Sequence, residues 1–299
     1  MPLAAFPKCY LDQLCVTGEM TVDDWLDLAA GLDVDGYEFY WGFTPWQEPD
    51  ELERIKARVE DQGRSIPMMC YSPDFTNPVR AERIAEIERQ VKAIEATSRL
   101  GGSYCRVLSG QRRPGITRET GIQWVVSCIE ALLPAAQEYG VTLILENHYK
   151  DGYWEYPEFA QKKDVFLDLL TQIGPDPNFG VNYDPSNAII AGDDPIALLE
   201  AIKHLVVTMH ASDRYLEGGT LKDLRKIEAD PQAGYATILQ HGVIGQGMND
   251  YDRIFSILRD IGFLGWISIE DGQDPQTGYE HLAASADFLR RKMKQYDLP

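Results

Sequence analysis

Four short apolar stretches of the chain each end in a residue that can bind a metal ion. The clearest covers 141–146 and ends in Glu146, and the others end in Asp184, His210 and Glu270. A short, partly β-branched apolar run is typical of a strand buried on both faces of a parallel sheet. Because the carboxyl ends of parallel barrel strands meet on one face, we expect these four side chains to lie together there.

This set of side chains predicts a site for one divalent cation. A single glutamate or histidine at a strand end is more often a salt-bridge partner or a structural residue, but three carboxylates that face one another repel strongly without a cation. Three oxygen donors and one imidazole fit Mn²⁺ best, with Mg²⁺, Co²⁺ or Zn²⁺ as alternatives. We expect no nucleotide cofactor, because no Gly-x-Gly-x-x-Gly motif opens a helix.

The elements that must position these residues alternate regularly between strand and helix. Eight such units without a linker predict a (β/α)8 TIM barrel that forms a single domain over 1–299. We expect the first strand at 9–16 and a helix that begins at Pro157. The segment 211–249, after the seventh strand, is far longer than an ordinary loop, so we expect a lid, an interface or a specificity insert.

Composition restricts the classes of partner. The formal net charge is −19, from 47 acidic and 28 basic side chains, and this opposes binding to nucleic acid or to an anionic membrane. Five cysteines without paired spacing indicate a reducing compartment. The N-terminus lacks the pattern of a signal peptide, and no apolar stretch has the length of a membrane span. We therefore expect a cytoplasmic protein that does not bind membranes.

The four ligands at the ends of strands five to eight resemble the pattern of the xylose isomerase-like TIM barrel superfamily. Together with the endings 244–252 and 262–270, they look most like the sugar phosphate isomerase/epimerase group, which includes ketose 3-epimerases and inosose-processing enzymes. The resemblance implies a carbohydrate substrate, with Glu146 and Glu270 acting as metal ligands and as acid and base on opposite faces of the sugar. Asn187 stands where those epimerases have a substrate-binding histidine, and it could bind a hydroxyl group instead.

His148 lies two residues beyond Glu146 and is the second departure from the epimerase pattern. It could be a general base near neutral pH, or a loop histidine that bonds to the backbone. The run 146–156 is similar to the catalytic subunits of C-glycoside deglycosidases, which expel an aglycone from a 3-oxo-glycoside by β-elimination. Those enzymes need a small β-rich partner chain, so this resemblance implies such a subunit as an alternative to a homo-oligomer.

Other candidate substrate-binding residues follow from their positions. Trp41 and Trp154 could stack on a sugar face, although packing in the core or a loop is an equal alternative. Arg214 follows strand seven and could bind a hydroxyl or phosphate, as arginine does there in some relatives. Arg106 could do the same, or it could form an ion pair with Glu146 or Glu38. The chain has no glycine-rich phosphate loop, which favours a free sugar or a glycoside.

Four functions remain open at this point. The leading one is a metal-dependent isomerase or epimerase of a keto sugar or cyclic polyol. The alternative is a carbon–oxygen or carbon–carbon lyase, of the inosose dehydratase or deglycosidase type, that uses His148 as base. A metal-dependent apurinic endonuclease is disfavoured by the charge and by a content of only five histidines. A barrel that binds sugar without turnover is the last alternative.

Overall fold

Nine parallel strand segments form the closed barrel of the structure. This computed structural model describes residues 1–45, 48–228, 230, 236–270, 272 and 274–298. The barrel segments are β1 (Leu3–Ala5), β2 (Gly36–Tyr37), β3 (Phe39–Tyr40), β4 (Met68–Cys70), β5 (Tyr104–Val107), β6 (Thr142–Glu146), β7 (Phe179–Tyr183), β8 (Val206–Ala211) and β11 (Trp266–Ile269). Strands β9 (Arg214–Leu216) and β10 (Leu239–His241) form a separate antiparallel pair.

One interrupted strand closes the ring. β2 pairs with β1, and β3 pairs with β4, so the two segments are halves of one strand on either side of Glu38. The neighbours around the sheet are β2, β1, β11, β8, β7, β6, β5, β4 and β3, which brings the chain back to the same strand. The prediction of a (β/α)8 barrel is therefore confirmed, with its eight strands present as nine segments.

Ten α-helices in the described part of the chain follow or join the strands. They are α1 (Val22–Ala29), α2 (Pro49–Asp61), α3 (Arg80–Arg99), α4 (Arg118–Tyr139), α5 (Lys163–Ile173), α6 (Pro185–Ile190), α7 (Pro195–Ile202), α8 (Leu221–Glu228), α9 (Tyr251–Asp260) and α10 (Gly278–Gln295). None of the described helices has the length and apolar character needed to cross a bilayer.

Two expected element boundaries were wrong. The first strand is β1, because Leu3–Ala5 is fully buried against β11, whereas 13–17 form a single π-helical turn that leaves Val16 65% exposed. The helix expected at Pro157 begins at Lys163. Residues before it form a buried loop instead, in which the N–H of Glu158 donates to the carbonyl of Tyr149 and that of Phe159 to the carbonyl of Gly110.

The segment 211–249 contains structure of its own. It holds the β9–β10 pair and α8, and a small apolar cluster packs beneath them that includes Tyr149, Ile190, Leu224 and Leu239. The cluster joins this segment to the loop after β6 and to α6, which follows β7, on the face where those strands end. Whether it acts as a lid, an interface or a specificity insert stays a prediction.

The contact between β8 and β11 leaves no room for a side chain at Gly265. A Cβ there would lie 1.9 Å from the backbone oxygen of Val207. We expect Gly265→Ala to lower the free energy of unfolding by about 1–3 kcal/mol, because one of the two strands must move. Urea unfolding measures this, with Gly152→Ala as control, since a Cβ at Gly152 meets nothing within 4 Å. Equal stability of both variants would show that the strands are not packed this closely.

Candidate active site

The four predicted ligands converge at the carboxyl ends of their strands. Glu146 ends β6, Asp184 follows β7, His210 lies in β8 and Glu270 follows β11. All four are buried, and one ligand atom from each lies within 4.8 Å of the others. The Nδ1 atom of His210 is 3.3 Å from a carboxylate oxygen of Glu146 and 3.7 Å from one of Glu270. The structure thus brings together the complete set that the sequence predicted.

Asp184 has one carboxylate oxygen that a cation would fit. Its Oδ1 accepts hydrogen bonds from the hydroxyl of Ser212 at 2.6 Å and from the N–H of Asn187 at 3.0 Å. Its Oδ2 is buried, and no donor among the described residues reaches it. Burial, with the charges of Glu270 and Glu146, raises the pKa of Asp184 to about 6. This donor set of three carboxylates and one imidazole fits a divalent metal ion.

Glu146 is held as a carboxylate by three neighbours. Arg106 donates to its Oε2 at 2.9 Å, and the amide of Asn187 donates to its Oε1 at 3.1 Å. Burial by itself would raise the pKa of Glu146, but the charges of His210 and Arg106 outweigh it and lower that pKa to about 2. Of the two ion pairs considered for Arg106, the structure shows the one with Glu146.

Glu270 has a partner that sequence reasoning missed. The Nζ atom of Lys8 lies 2.8 Å from its Oε1. Burial would raise the pKa of Glu270, but Lys8 and then His210 hold it well below its ordinary value. Lys8 could have been found if the first strand had been placed at 3–5, because Lys8 then follows a strand end like the other site residues.

A pocket opens beside this cluster. Its buried wall includes Arg106, His148 and Glu270, so it reaches the ligand set directly. Val16 and Tyr153 line it as well and are about two-thirds exposed, which places them at its mouth. The lining also carries Lys8, Lys150, Asp12 and Asp151, and this mixture of charges suits a polar ligand.

His148 faces a buried glutamate across a gap of 3.6 Å. Its Nδ1 atom is that distance from Oε2 of Glu158, and the Oε1 atom of Glu158 accepts from both the backbone N–H and the hydroxyl of Ser109. Burial raises the pKa of Glu158, and this effect outweighs the charge of His148, which lowers that pKa. A buried carboxylate of this kind can orient an imidazole. The sequence pattern does not reveal this contact, because Pro157 predicts a helix over the segment that holds Glu158.

The two predicted stacking tryptophans lie outside the pocket lining. Trp41 packs edge-on against Tyr71 with ring centroids 5.2 Å apart, and Trp154 packs edge-on against His148 at 6.5 Å. Tyr153, the neighbour of Trp154, lines the pocket instead. The packing alternative considered for both tryptophans describes their contacts better than stacking on a sugar.

Arg214 is buried, and its neighbour Asp213 fixes a loop. A guanidinium nitrogen of Arg214 lies 3.5 Å from the side-chain oxygen of Asn187. The carboxylate of Asp213 accepts the backbone N–H groups of Gly245, Gly247 and Asn249 at 2.9–3.1 Å. A Cβ at Gly247 would lie 2.3 Å from that carboxylate, so glycine is needed there. These bonds give a structural reason for the 244–252 motif.

Comparisons with known proteins agree with this architecture. A family model described as xylose isomerase-like TIM barrel matches residues 26–292. Among solved structures, a D-tagatose 3-epimerase-like protein superposes with a TM-score of 0.77 at 16% identity, covering 99% of this chain and 98% of that one. The IOLI protein with a bound zinc atom superposes with a TM-score of 0.75 at 18% identity, covering 99% of both chains. These likenesses establish the fold.

Sequence comparison with curated proteins finds inosose dehydratases. The protein from Geobacillus kaustophilus (strain HTA426) is 28% identical over 176 residues, which is 56% of this chain and 52% of that protein. The chain spans about half the length of the curated relatives it matches.

The charge at Asp184 makes the metal-free protein less stable. Because folding raises the pKa of Asp184 from 3.8 to about 6, its charge lowers the free energy of unfolding above that pH. The protein therefore becomes more stable as the pH falls from about 7 towards 5 and less stable as it rises again. We expect Asp184→Asn to remove that pH dependence and to stabilise the chain at pH 7.5 with chelator present by about 1–3 kcal/mol, since an amide donates to the facing carboxylates.

Urea unfolding at pH 5.5 and 7.5 measures this change. Asp223→Asn is the control, because the half-exposed carboxylate of Asp223 pairs with Thr220 and Lys226 and not with the ligand set. A metal-free Asp184→Asn protein that is less stable than wild type at pH 7.5 would contradict the prediction. The same variant should lose its stabilisation by added Mn²⁺.

Proposed function

The chain belongs to the xylose isomerase-like TIM barrel family, and from that premise we propose that it is a metal-dependent enzyme that removes a proton next to a carbonyl group of a keto sugar or cyclic polyol. The observation that carries the proposal is the convergence of Glu146, Asp184, His210 and Glu270 beside an open pocket. A bound divalent cation, for which Mn²⁺ is our first choice, would polarise that carbonyl.

Other residues of the site have separate roles in this reaction. Lys8 and Arg106 keep Glu270 and Glu146 ionised, so that both carboxylates are ready to bind a cation or accept a proton. Glu270 lines the pocket, and its contact with Lys8 offers a route for returning a proton to the substrate. Asn187 orients Glu146 and Arg214 in turn contacts Asn187, so we assign both to substrate and ligand positioning.

We favour an isomerase or epimerase as the outcome of this proton removal. In that reaction Glu146 and Glu270 exchange the proton on opposite faces of the carbon next to the carbonyl. The fold shared with a D-tagatose 3-epimerase-like protein supports this choice. Arg106 lines the same pocket and is available to a substrate hydroxyl while it holds Glu146.

A lyase is the second candidate, and one specific observation favours it. His148 lines the pocket with its Nδ1 atom towards Glu158, which leaves Nε2 to act as base. The similarity to inosose dehydratases supports a reaction in which the same carbanion expels a group from the β carbon. A homo-oligomer, or a small β-rich subunit for the deglycosidase reaction, stays a prediction.

Proton exchange tests the proposal. We expect the Mn²⁺-loaded protein in D₂O to incorporate deuterium next to the carbonyl of at least one member of a panel of ketohexoses, inososes and 3-oxo-glycosides. Mass spectrometry and proton NMR detect the label, and the metal-free protein is the control. Binding of a panel member without exchange of its proton would contradict the proposal and would mean that the protein binds sugar without turnover.

Substitution of His148 separates the two outcomes. If the protein is a lyase, His148→Ala should lower the rate of group release about 10²–10⁴-fold, because a positioned base contributes that much. If it is an epimerase, the same variant should keep epimerisation within about tenfold of wild type, and Glu270→Gln should abolish it. An active lyase whose rate is unchanged in His148→Ala would remove His148 from the mechanism.

A further inference from the structure

The second ring nitrogen of His210 has a partner outside the ligand set. Its Nε2 atom lies 3.1 Å from both carboxylate oxygens of Glu38, while Nδ1 faces Glu146 and Glu270. The Sγ atom of Cys70 lies 2.9 Å from Oε1 of Glu38. All three residues of this Glu38 triad (Glu38, Cys70 and His210) are fully buried.

The hydrogen atoms of the triad can be assigned from its chemistry. An ionised carboxylate only accepts hydrogen bonds, so Cys70 and His210 must supply the hydrogens. The thiol of Cys70 donates to Oε1 of Glu38 at 2.9 Å, and Nε2 of His210 is the ring nitrogen that lies 3.1 Å from both Glu38 oxygens. His210 must then carry a hydrogen on Nε2, and Nδ1 is left as the nitrogen that can give its lone pair to a cation.

We propose that Glu38 is the positioning residue of the metal centre, because it fixes the tautomer and the ring orientation of His210, and that Cys70 in turn holds Glu38. The proposal rests on the proposed function only in requiring a cation at the four-ligand set. The strand break between β2 and β3 falls at Glu38, whose N–H still donates to the carbonyl of Ala5. The backbone thus stays in the sheet while its carboxylate reaches His210.

The distances argue against Glu38, Cys70 and His210 as a second metal site. Their ligand atoms do lie within 4.8 Å of one another. Tetrahedral zinc, however, holds a sulfur and an oxygen ligand roughly 3.5 Å apart, given bond lengths of about 2.3 and 2.0 Å. The separation of 2.9 Å between Cys70 and Glu38 is that of a hydrogen bond. A second cation is therefore an outcome that the experiment must be able to detect.

Metal affinity is the first measurement. Wild type, Glu38→Gln and Glu38→Ala are titrated with Zn²⁺ against a chelator, and bound zinc per chain is counted. We expect one ion per wild-type chain and a loss of affinity of about 10–100-fold in Glu38→Ala, as is usual when such a partner is removed. Glu38→Gln should lose less, because its amide oxygen still accepts from Nε2–H. Glu86→Gln is the control and should bind zinc like wild type, because this partly buried glutamate bonds to Tyr71 and Arg89 and not to the ligand set.

The tautomer is read directly from wild-type protein, which does not depend on whether the variants fold. In zinc-loaded, ¹⁵N-histidine-labelled protein, we expect His210 to be protonated at Nε2 and zinc-bound at Nδ1. The chain has five histidines, and the His210 signals are identified in wild type as those that shift most when zinc is added. Zinc bound at Nε2 would overturn the proposal, and so would unchanged affinity in folded Glu38→Ala.

Stoichiometry separates the remaining outcomes. Two ions per wild-type chain, with one lost in both Glu38→Ala and Cys70→Ser, would make these residues ligands and overturn the positioning role. A wild-type protein that binds no zinc would overturn this proposal together with the metal site. If the Glu38 variants lose zinc affinity as expected but the protein exchanges no substrate proton, the positioning role of Glu38 stands and only the proposed function is wrong.

Discussion

Three buried carboxylates within a few ångströms of one another are the constraint on which this barrel end depends. Their repulsion in a low-dielectric interior must be offset, and Arg106, Lys8 and His210 each supply part of the compensation. The compensation is incomplete at Asp184, whose second oxygen meets no donor in the described part of the chain and whose pKa is raised. That remaining deficit is where a divalent cation fits, so the stability and the proposed chemistry of this end share one cause.

The backbone features around the site serve the same arrangement. The interruption at Glu38 keeps a strand in the barrel and brings a carboxylate to the far side of His210. Asp213 ties the 245–249 loop to the end of β8, the strand that carries His210. The loop after β6 places His148 and Glu158 at the pocket wall. Each ligand also contacts a partner from another strand or loop: Arg106 for Glu146, Ser212 for Asp184, Lys8 for Glu270 and Glu38 for His210.

The sequence was sufficient for the ligand set and the barrel because both follow from simple patterns. Buried strands are apolar, and a charge at their ends is conspicuous, so Glu146, Asp184, His210 and Glu270 could be found. Glu38 and Glu158 could not, since their roles depend on which neighbour they meet across the barrel. Lys8 was hidden by placing the first strand at 9–16, and Glu158 by an expected helix. For Trp41 and Trp154 the sequence left stacking and packing as equal alternatives, because an aromatic residue near a strand end gives no sign of whether it faces a pocket or a neighbouring ring.

Anomalous X-ray diffraction from crystals grown with Mn²⁺ would locate the cation. We expect a single manganese peak per chain, about 2.0–2.3 Å from ligand atoms of Glu146, Asp184, His210 and Glu270. The same crystals of Glu146→Gln should show a weaker peak or none. Full Mn²⁺ occupancy elsewhere in the chain, or no peak among these four side chains at saturating Mn²⁺, would make the cluster a structural charge network and contradict the account.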